Sequence, residues 1–339
     1  MMLTSDWVED ASVVLIPVVL GIAIVRAKRQ PLWSEAYRRL SKNKVALASL
    51  GILTIYLILA LLDGIGWHSP EQIGRRTVVD VLFSKPLEHT YSAPLANMTA
   101  EFRHPQKLVA PGSHLLGTDA VGTDVLYQTI KGMHTALFIG GLTTLIATPL
   151  ALFLGLIAGY FGKFADDVVQ YTYTVFASVP DILLLIAIIL VLGQGLFPIS
   201  FALGVTSWVG LCRLVRGETL RQREREYVLA AQALGVKPGR ILVRHILPNL
   251  LPMVIISVTL AFSSIVLAEA ILSYLGVGVG ADVASWGNMI DGARDELTRD
   301  PLVWWNLASA TTALMILVLA LNLFADALRD AIDPRLRSA

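Results

Sequence analysis

Asp119 and Asp124 stand five positions apart in the run Gly117-Thr118-Asp119-Ala120-Val121-Gly122-Thr123-Asp124. Two carboxylates on a glycine-punctuated loop are the donor types that hold a hard divalent cation. The same residues also suit a turn that feeds a helix, with Thr118 or Asp119 capping a helix that leads into His134. We favour the second reading and assign no metal site. His68, His89, His104 and His114 are spread along the same stretch and are metal ligands by type only. Glu269 and Asp181 are a different kind of candidate. Each falls in an apolar run, where an ionisable group is costly and points to function. Glu269 either lines a pore or makes a structural hydrogen bond near the outer end of its run. Asp181, directly after Pro180, is the next candidate. Asp166 and Asp167 read as turn residues.

Reactive machinery is absent from the pattern. Gly162-Lys163 is followed by Phe164, with no glycine at phosphate-loop spacing before it. No nucleophile elbow, zinc-protease helix or cysteine pair occurs. The single cysteine, Cys212, excludes a disulfide within the chain and reads as a small packing residue. No catalytic residue is assigned, and no enzyme activity is expected.

The elements that position these residues are membrane spans. Of the 339 residues, 55% are hydrophobic, and the mean hydropathy is +0.65. A net charge of +1 gives no global field for nucleic acid. Apolar runs of about 20 residues cross a bilayer. They occur at 45–62, 134–160, 168–192, 201–215, 251–275 and 306–328, with a shorter one at 11–25. Arg26, Lys28 and Arg29 follow that first run, so its polarity is wrong for a cleavable signal. It either spans with the N-terminus outside or lies in plane, giving seven spans or six. Arginine and lysine gather in 26–44, 216–249 and 329–339, which places all three on the cytoplasmic side. The organisation expected is 1–44, an extra apolar segment and basic stretch; 45–133, one span and an irregular extracytoplasmic segment; 134–328, a five-span core; and 329–339, a cytoplasmic tail. The polar residues 276–305 read as an external loop.

The basic stretch between two spans holds a docking element. Glu226 to Leu234 is rich in strong helix formers. Gly235 suits the left-handed position that ends a helix, and Pro238 prevents simple continuation. A second helix starts near Gly239, and Pro248 breaks or kinks it at the membrane entry. The product is a short helix at 226–235 lying along the cytoplasmic face, with Ala230 and Ala231 allowing close approach by another surface.

Residues 227–249 resemble the coupling-helix signature of ATP-binding-cassette (ABC) importer permeases. In register are Leu229-Ala230-Ala231, Gly235, and then His245, Leu247 and Pro248. Leu229 and His245 stand where the general family has glutamate and isoleucine, a departure shared with the peptide-transporter branch. Gly117-Thr118-Asp119-x-x-Gly122-x-Asp124, Ala268 to Gly276, Ser285 to Met289 and Asp326 to Leu336 are similar to further stretches of the dipeptide and oligopeptide "C" subunits. The likeness runs in order from about 112 to 337; the run 11–25 is a departure. It implies an all-α, MetI-like type I importer fold in a bacterial inner membrane, with the C-terminus cytoplasmic. It implies as partners a second homologous permease, two cytoplasmic ATPases that hold ATP and Mg, an extracytoplasmic substrate-binding protein and membrane lipid. This chain itself would need no cofactor. Peptides are the expected cargo, with nickel chelates or peptide-like antibiotics as alternatives. An ion-coupled secondary transporter is the competing class; it would place charges and helix breaks near midplane in paired halves.

Overall fold

The computed structural model describes residues 37–68, 75–101 and 105–332. The run 11–25, His104 and the tail from 333 lie outside them. The first helix, α1 (Lys44–Gly64), starts where Asn43 accepts from the amides of Val45 and Ala46 at 2.9 and 3.2 Å. Its Gly64 end passes into a short antiparallel hairpin, β1 (Gly66–His68) and β2 (Arg75–Thr77). A one-and-a-half-turn helix follows, α2 (Val78–Phe83), closed by a reciprocal cap between Thr77 and Asp80. The chain then runs irregularly to 124.

The longest helix, α3 (Val125–Phe161), begins nine residues earlier than the sequence reading placed it. Its 37 residues rise about 55 Å, against roughly 30 Å of hydrocarbon. The surplus at the Val125 end carries the polar residues that hide its start. After Gly162, in the positive-φ region at +63°, α4 (Lys163–Ser178) starts at once. Asp166 and Asp167, expected in a turn, are therefore helical. The expected span 168–192 is two helices, α4 and α5 (Asp181–Leu192), bent by 89°. Pro180 forces Val179 into extended backbone (φ −98°, ψ 134°).

The return span comprises α6 (Leu196–Thr206) and α7 (Trp208–Arg223), followed by the surface helix α8 (Glu226–Ala233). One further span runs from Pro238 to Tyr274. It consists of α9 (Pro238–Ile241), a π turn at Leu242–Ile246, and α10 (Leu247–Tyr274). Pro248 cannot donate to the carbonyl of Arg244 and its ring crowds it. The chain answers with the wider turn rather than a break. The stretch 276–305, expected as a loop, contains a helix, α11 (Trp286–Glu296), before the last span, α12 (Trp305–Ile332). Among the described residues five helices are long and apolar enough to cross a membrane, or six with the bent pair counted as one.

Small residues let the spans meet. A Cβ on Gly155 would lie 2.8 Å from Val215 Cγ1, and one on Gly159 would lie 2.6 Å from Thr219 Cβ. These glycines, four apart, open one face of α3 to α7, as membrane helix interfaces do without a hydrophobic driving force between helices.

Candidate functional site

Helix α8 has two faces of opposite character. Val228 and Ala231 are buried against Tyr160, Val215, Ile241 and Ile246. Leu229, Ala230, Ala233 and Leu234 are exposed, Leu234 at 84%. Positions 228 and 231 share a face at helical spacing, whereas 230 is turned away from 231. Of the two alanines picked out by sequence, only Ala230 is presented outward; Ala231 packs on the chain's own core. Gly235 ends the helix at φ +75°. Its amide donates to Gln232 O at 2.9 Å, and the amide of Val236 donates to Ala231 O at 3.1 Å. This pair of bonds is a Schellman stop.

Polar bonds fix α8 to α3, α7 and α10, and Arg223 of α7 adds a bond to α3. Gln232 Nε2 donates to Tyr160 Oη at 3.3 Å, and Arg223 Nη1 donates to Tyr160 O at 3.0 Å. Tyr227 Oη donates to Gln222 Oε1 at 2.7 Å and accepts from Asn249 Nδ2 at 3.2 Å. Asn249 Nδ2 also donates to His245 O at 2.7 Å. His245 thus enters this network through its carbonyl. His245, Leu247 and Pro248 are half-buried at the base of the site, and Glu226 is exposed at its start. Arg221, Arg225, Lys237, Arg240 and Arg244 are exposed around it. The arrangement is a rigid, outward apolar patch within a cationic rim, suited to seating against a protein groove. Beside it, Arg216 holds Asp166 by two bonds, Nη2 to Oδ2 at 2.7 Å and Nε to Oδ1. Asp166 is therefore an ion-pair partner rather than a free turn residue, while Asp167 is exposed.

Glu269 is buried, accepting from Ser273 Oγ at 2.9 Å and Ser285 Oγ at 2.7 Å. Through Ser285 it ties α10 to the start of α11. Asp181 is exposed at the first position of α5.

The Gly117–Asp124 segment is a turn. Asp119 Oδ1 accepts from the amides of Val121 and Thr123 at 3.0 and 2.8 Å. The helix cap is Asp124, not Thr118 or Asp119; its Oδ1 accepts from Tyr127 N at 3.0 Å. Thr118 instead pairs with Ser92, accepting from its amide at 2.7 Å through Oγ1. A Cβ on Gly117 or Gly122 would lie 2.3 Å from Ser92 O or 1.9 Å from Glu88 O, so backbone occupies that space. His114 is buried with Nδ1 2.8 Å from Asp124 Oδ2 and Nε2 3.2 Å from Glu88 Oε1.

Sequence reasoning missed a partly buried ionic cluster where the Gly64 end of α1 meets the Val125 end of α3. Lys131 Nζ lies 2.8 Å from Asp80 Oδ1 and 3.7 Å from Asp63 Oδ1. Thr77 Oγ1 donates to Asp63 at 2.7 Å, Tyr127 Oη donates to Asp80 at 2.7 Å, and His134 Nδ1 is 3.7 Å from Asp63. Burial raises the Asp80 carboxyl, but Lys131, the Thr77 amide and Tyr127 outweigh it and hold it below its usual range. The signal was Tyr127, Lys131 and His134 on one face of a helix. Their acidic partners lie 47 or more positions away and carry no local mark.

Two family models match the chain. "Binding-protein-dependent transport system inner membrane component" covers residues 151–338, and "N-terminal TM domain of oligopeptide transport permease C" covers 31–80. The run 11–25 precedes both. The oligopeptide transport system permease protein OppC of Bacillus subtilis is 31% identical over 92% of this chain and 93% of its own length. The dipeptide permease DppC of the same organism is 34% identical over 89% and 86%. The OppC of Haemophilus influenzae is 32% identical over 98% and 95%. Among solved structures, an inward-facing form of the MetNI methionine ABC transporter superposes with a TM-score of 0.50 at 19% identity, over 62% of this chain and 98% of that one. That likeness concerns the fold.

Proposed function

Since the chain belongs to the binding-protein-dependent inner membrane components of ABC importers, we propose that it is one permease half of a peptide importer, driven through α8 by ATPases bound from the cytoplasm. The observation that carries the coupling role is the division of α8: Val228 and Ala231 lock it to the spans, while Leu229, Ala230, Ala233 and Leu234 remain outward. Likeness to oligopeptide and dipeptide permeases supports peptide cargo.

In this reading a second, homologous permease completes the pore, and two ATPase subunits seat on the paired surface helices. A substrate-binding protein delivers cargo to the outer side. The C-terminus faces the cytoplasm, as does the basic stretch around α8. The nucleotide and Mg belong to the ATPases. Closing of the ATPases draws the two surface helices together, and the bonds from Tyr227, Gln232 and Arg223 carry that displacement into α3, α7 and α10. The pore has two global states, and differential docking selects between them.

Purification of the tagged chain from its native membrane in mild detergent tests the assembly. A second permease and ATPase subunits co-purify, and peptide stimulates ATP hydrolysis by the reconstituted complex. A chain recovered alone that transports in liposomes without ATP would overturn the reading.

A further inference from the structure

Helix α11 carries an acid where its pattern calls for an apolar residue. Trp286, Met289, Ala293 and Glu296 recur at intervals of three and four, so they share one face, and all four are buried. Asp291, Gly292, Arg294 and Asp295 are exposed. The buried face is fixed to α3, where Trp286 Nε1 donates to Thr129 O at 3.0 Å. Each end of the helix is tied by a buried glutamate. Ser285, the N-terminal cap, donates to Glu269 of α10 at 2.7 Å. At the other end Glu296 meets Asn306, in the first turn of α12.

The contact between Glu296 and Asn306 is half complete. Asn306 Nδ2 donates to Glu296 Oε1 at 3.3 Å. The second oxygen of each pair of polar atoms, Glu296 Oε2 and Asn306 Oδ1, is buried without a hydrogen-bond partner. Native structures rarely leave buried polar atoms so. With the carboxyl ionised both atoms only accept, and neither can serve the other. One proton on Oε2 removes both defects. The carboxylic O–H then donates to the amide oxygen, while the amide N–H already donates to Oε1.

The surroundings favour the neutral acid. Burial raises the Glu296 carboxyl, with hydrogen bonds from Asn306 and Tyr91 opposing, the Asp119 charge adding and the Arg299 charge opposing. Tyr91 and Asp119 belong to the irregular segment before α3. Arg299 follows α11; it is exposed, with its guanidinium 4.6 Å from the centre of the Tyr91 ring.

We propose that Glu296 and Asn306 form a proton-bound latch, closed as a neutral acid–amide pair and released when the carboxyl ionises, so that the seating of α11 against α12 responds to pH. Ionisation gives the Oε2 proton to water and leaves acceptor facing acceptor in a buried place. The Glu296 end of α11 then loosens, while Ser285 still holds the other end. The latch does not depend on what the chain transports.

Two measurements on the full chain, purified with the subunits it retains, test it. Glu296→Gln keeps the shape of the side chain and supplies an N–H in place of the O–H, so it holds the latch closed at every pH. Infrared difference spectra between the native chain and Glu296→Gln should show a protonated-carboxyl C=O band that persists above the pH at which exposed carboxyls ionise. Asn306→Ala, which keeps the acid and removes its partner, should shift that band. Amide hydrogen exchange over 286–303 is corrected for its intrinsic base catalysis. In the native chain protection is complete below the ordinary carboxyl value and is lost by about tenfold per pH unit as pH rises from there through the value of the buried acid. In Glu296→Gln it should not change. A Glu296 band that titrates with the exposed carboxyls, a band unmoved in Asn306→Ala, or the same pH dependence of exchange in native chain and Glu296→Gln would each overturn the latch.

Discussion

Trp305 donates its indole N–H to the main-chain oxygen of Thr118, 2.9 Å away and 187 positions earlier. This bond joins the start of the last span to the Gly117–Asp124 turn, and the same ring fills the space above Gly117, whose Cβ would lie 2.9 Å from Trp305 Nε1. Thr118 in turn holds Ser92. Trp305→Phe keeps most of the apolar surface but leaves a buried carbonyl without its donor. The expected loss is about 1–3 kcal/mol, read as a lower unfolding midpoint in detergent. Trp304→Phe, at a neighbouring position exposed to 53%, should change little. Equal effects would show that the bond adds no stability.

The meeting of α3 and α7 sets a second expectation. On Gly159 an added Cβ would come within 2.7 Å of Arg216 O, and backbone cannot swing aside as a flexible side chain can. Gly159→Val should cost about 1–3 kcal/mol through overpacking. Gly210→Ala has nothing within 4 Å of the new carbon, so it should be neutral or slightly stabilising, as helical Gly→Ala changes are. Thermal scans of both variants in one detergent decide the matter; a tolerant Gly159 would mean the helices can separate at little cost.

The spans and the surface helix were legible because their signals are local. Length and hydropathy set the apolar runs, and Gly235 with Pro238 bounded α8. Three things were hidden for physical reasons. The start of α3 carries Tyr127, Gln128 and Lys131, polar residues that read as loop until Asp80 and Asp63 are brought against Tyr127 and Lys131. Pro180 was visible, but the hydropathy of 168–192 runs through it, and only backbone geometry gives the 89° bend. In the surface helix, sequence marked Ala230 and Ala231 alike; their separation onto opposite faces needed the packing of Val228 to fix the phase.

Two buried carboxyls outside the spans should pull stability in opposite directions with pH. Burial would raise Glu88, but the amides of Ala110 and Val109 and the His114 ring outweigh it, leaving its pKa below the ordinary value. Its contribution is present above the unfolded-state pKa and is lost as pH falls through the folded one. Burial dominates at Glu296 and raises its pKa, with Asn306 and Tyr91 opposing and Asp119 adding. Its contribution is complete below the unfolded pKa and is lost as pH rises through the folded value. Unfolding midpoints measured from acid to neutral pH should therefore lose part of their acid-side fall in Glu88→Gln, at lower stability near neutrality. Glu296→Gln should gain stability near neutrality. A shift of the same sign in both variants would contradict these environments.

The two faces of α8 predict a separation between folding and coupling. Leu234 is 84% exposed in this chain, so Leu234→Asp should leave its own stability within about 0.5 kcal/mol. If Leu234 is covered by an ATPase, the variant forfeits about 1.5–3 kcal/mol of apolar burial, equivalent to about a ten- to hundredfold weaker docking. The permease pair should then purify intact with ATPase depleted. Ala231→Glu should behave differently, because Ala231 is only 7% exposed and packs toward Tyr160 and Ile241. An unpaired carboxylate there costs several kcal/mol, so yield and unfolding midpoint should fall before any docking defect can be read. Ala230→Glu, one position away on the outward face, should resemble Leu234→Asp and not Ala231→Glu. Normal ATPase recovery and peptide-stimulated hydrolysis in both outward variants would remove α8 from the coupling path. Similar loss of stability in Ala230→Glu and Ala231→Glu would show that the helix is not seated in the orientation described.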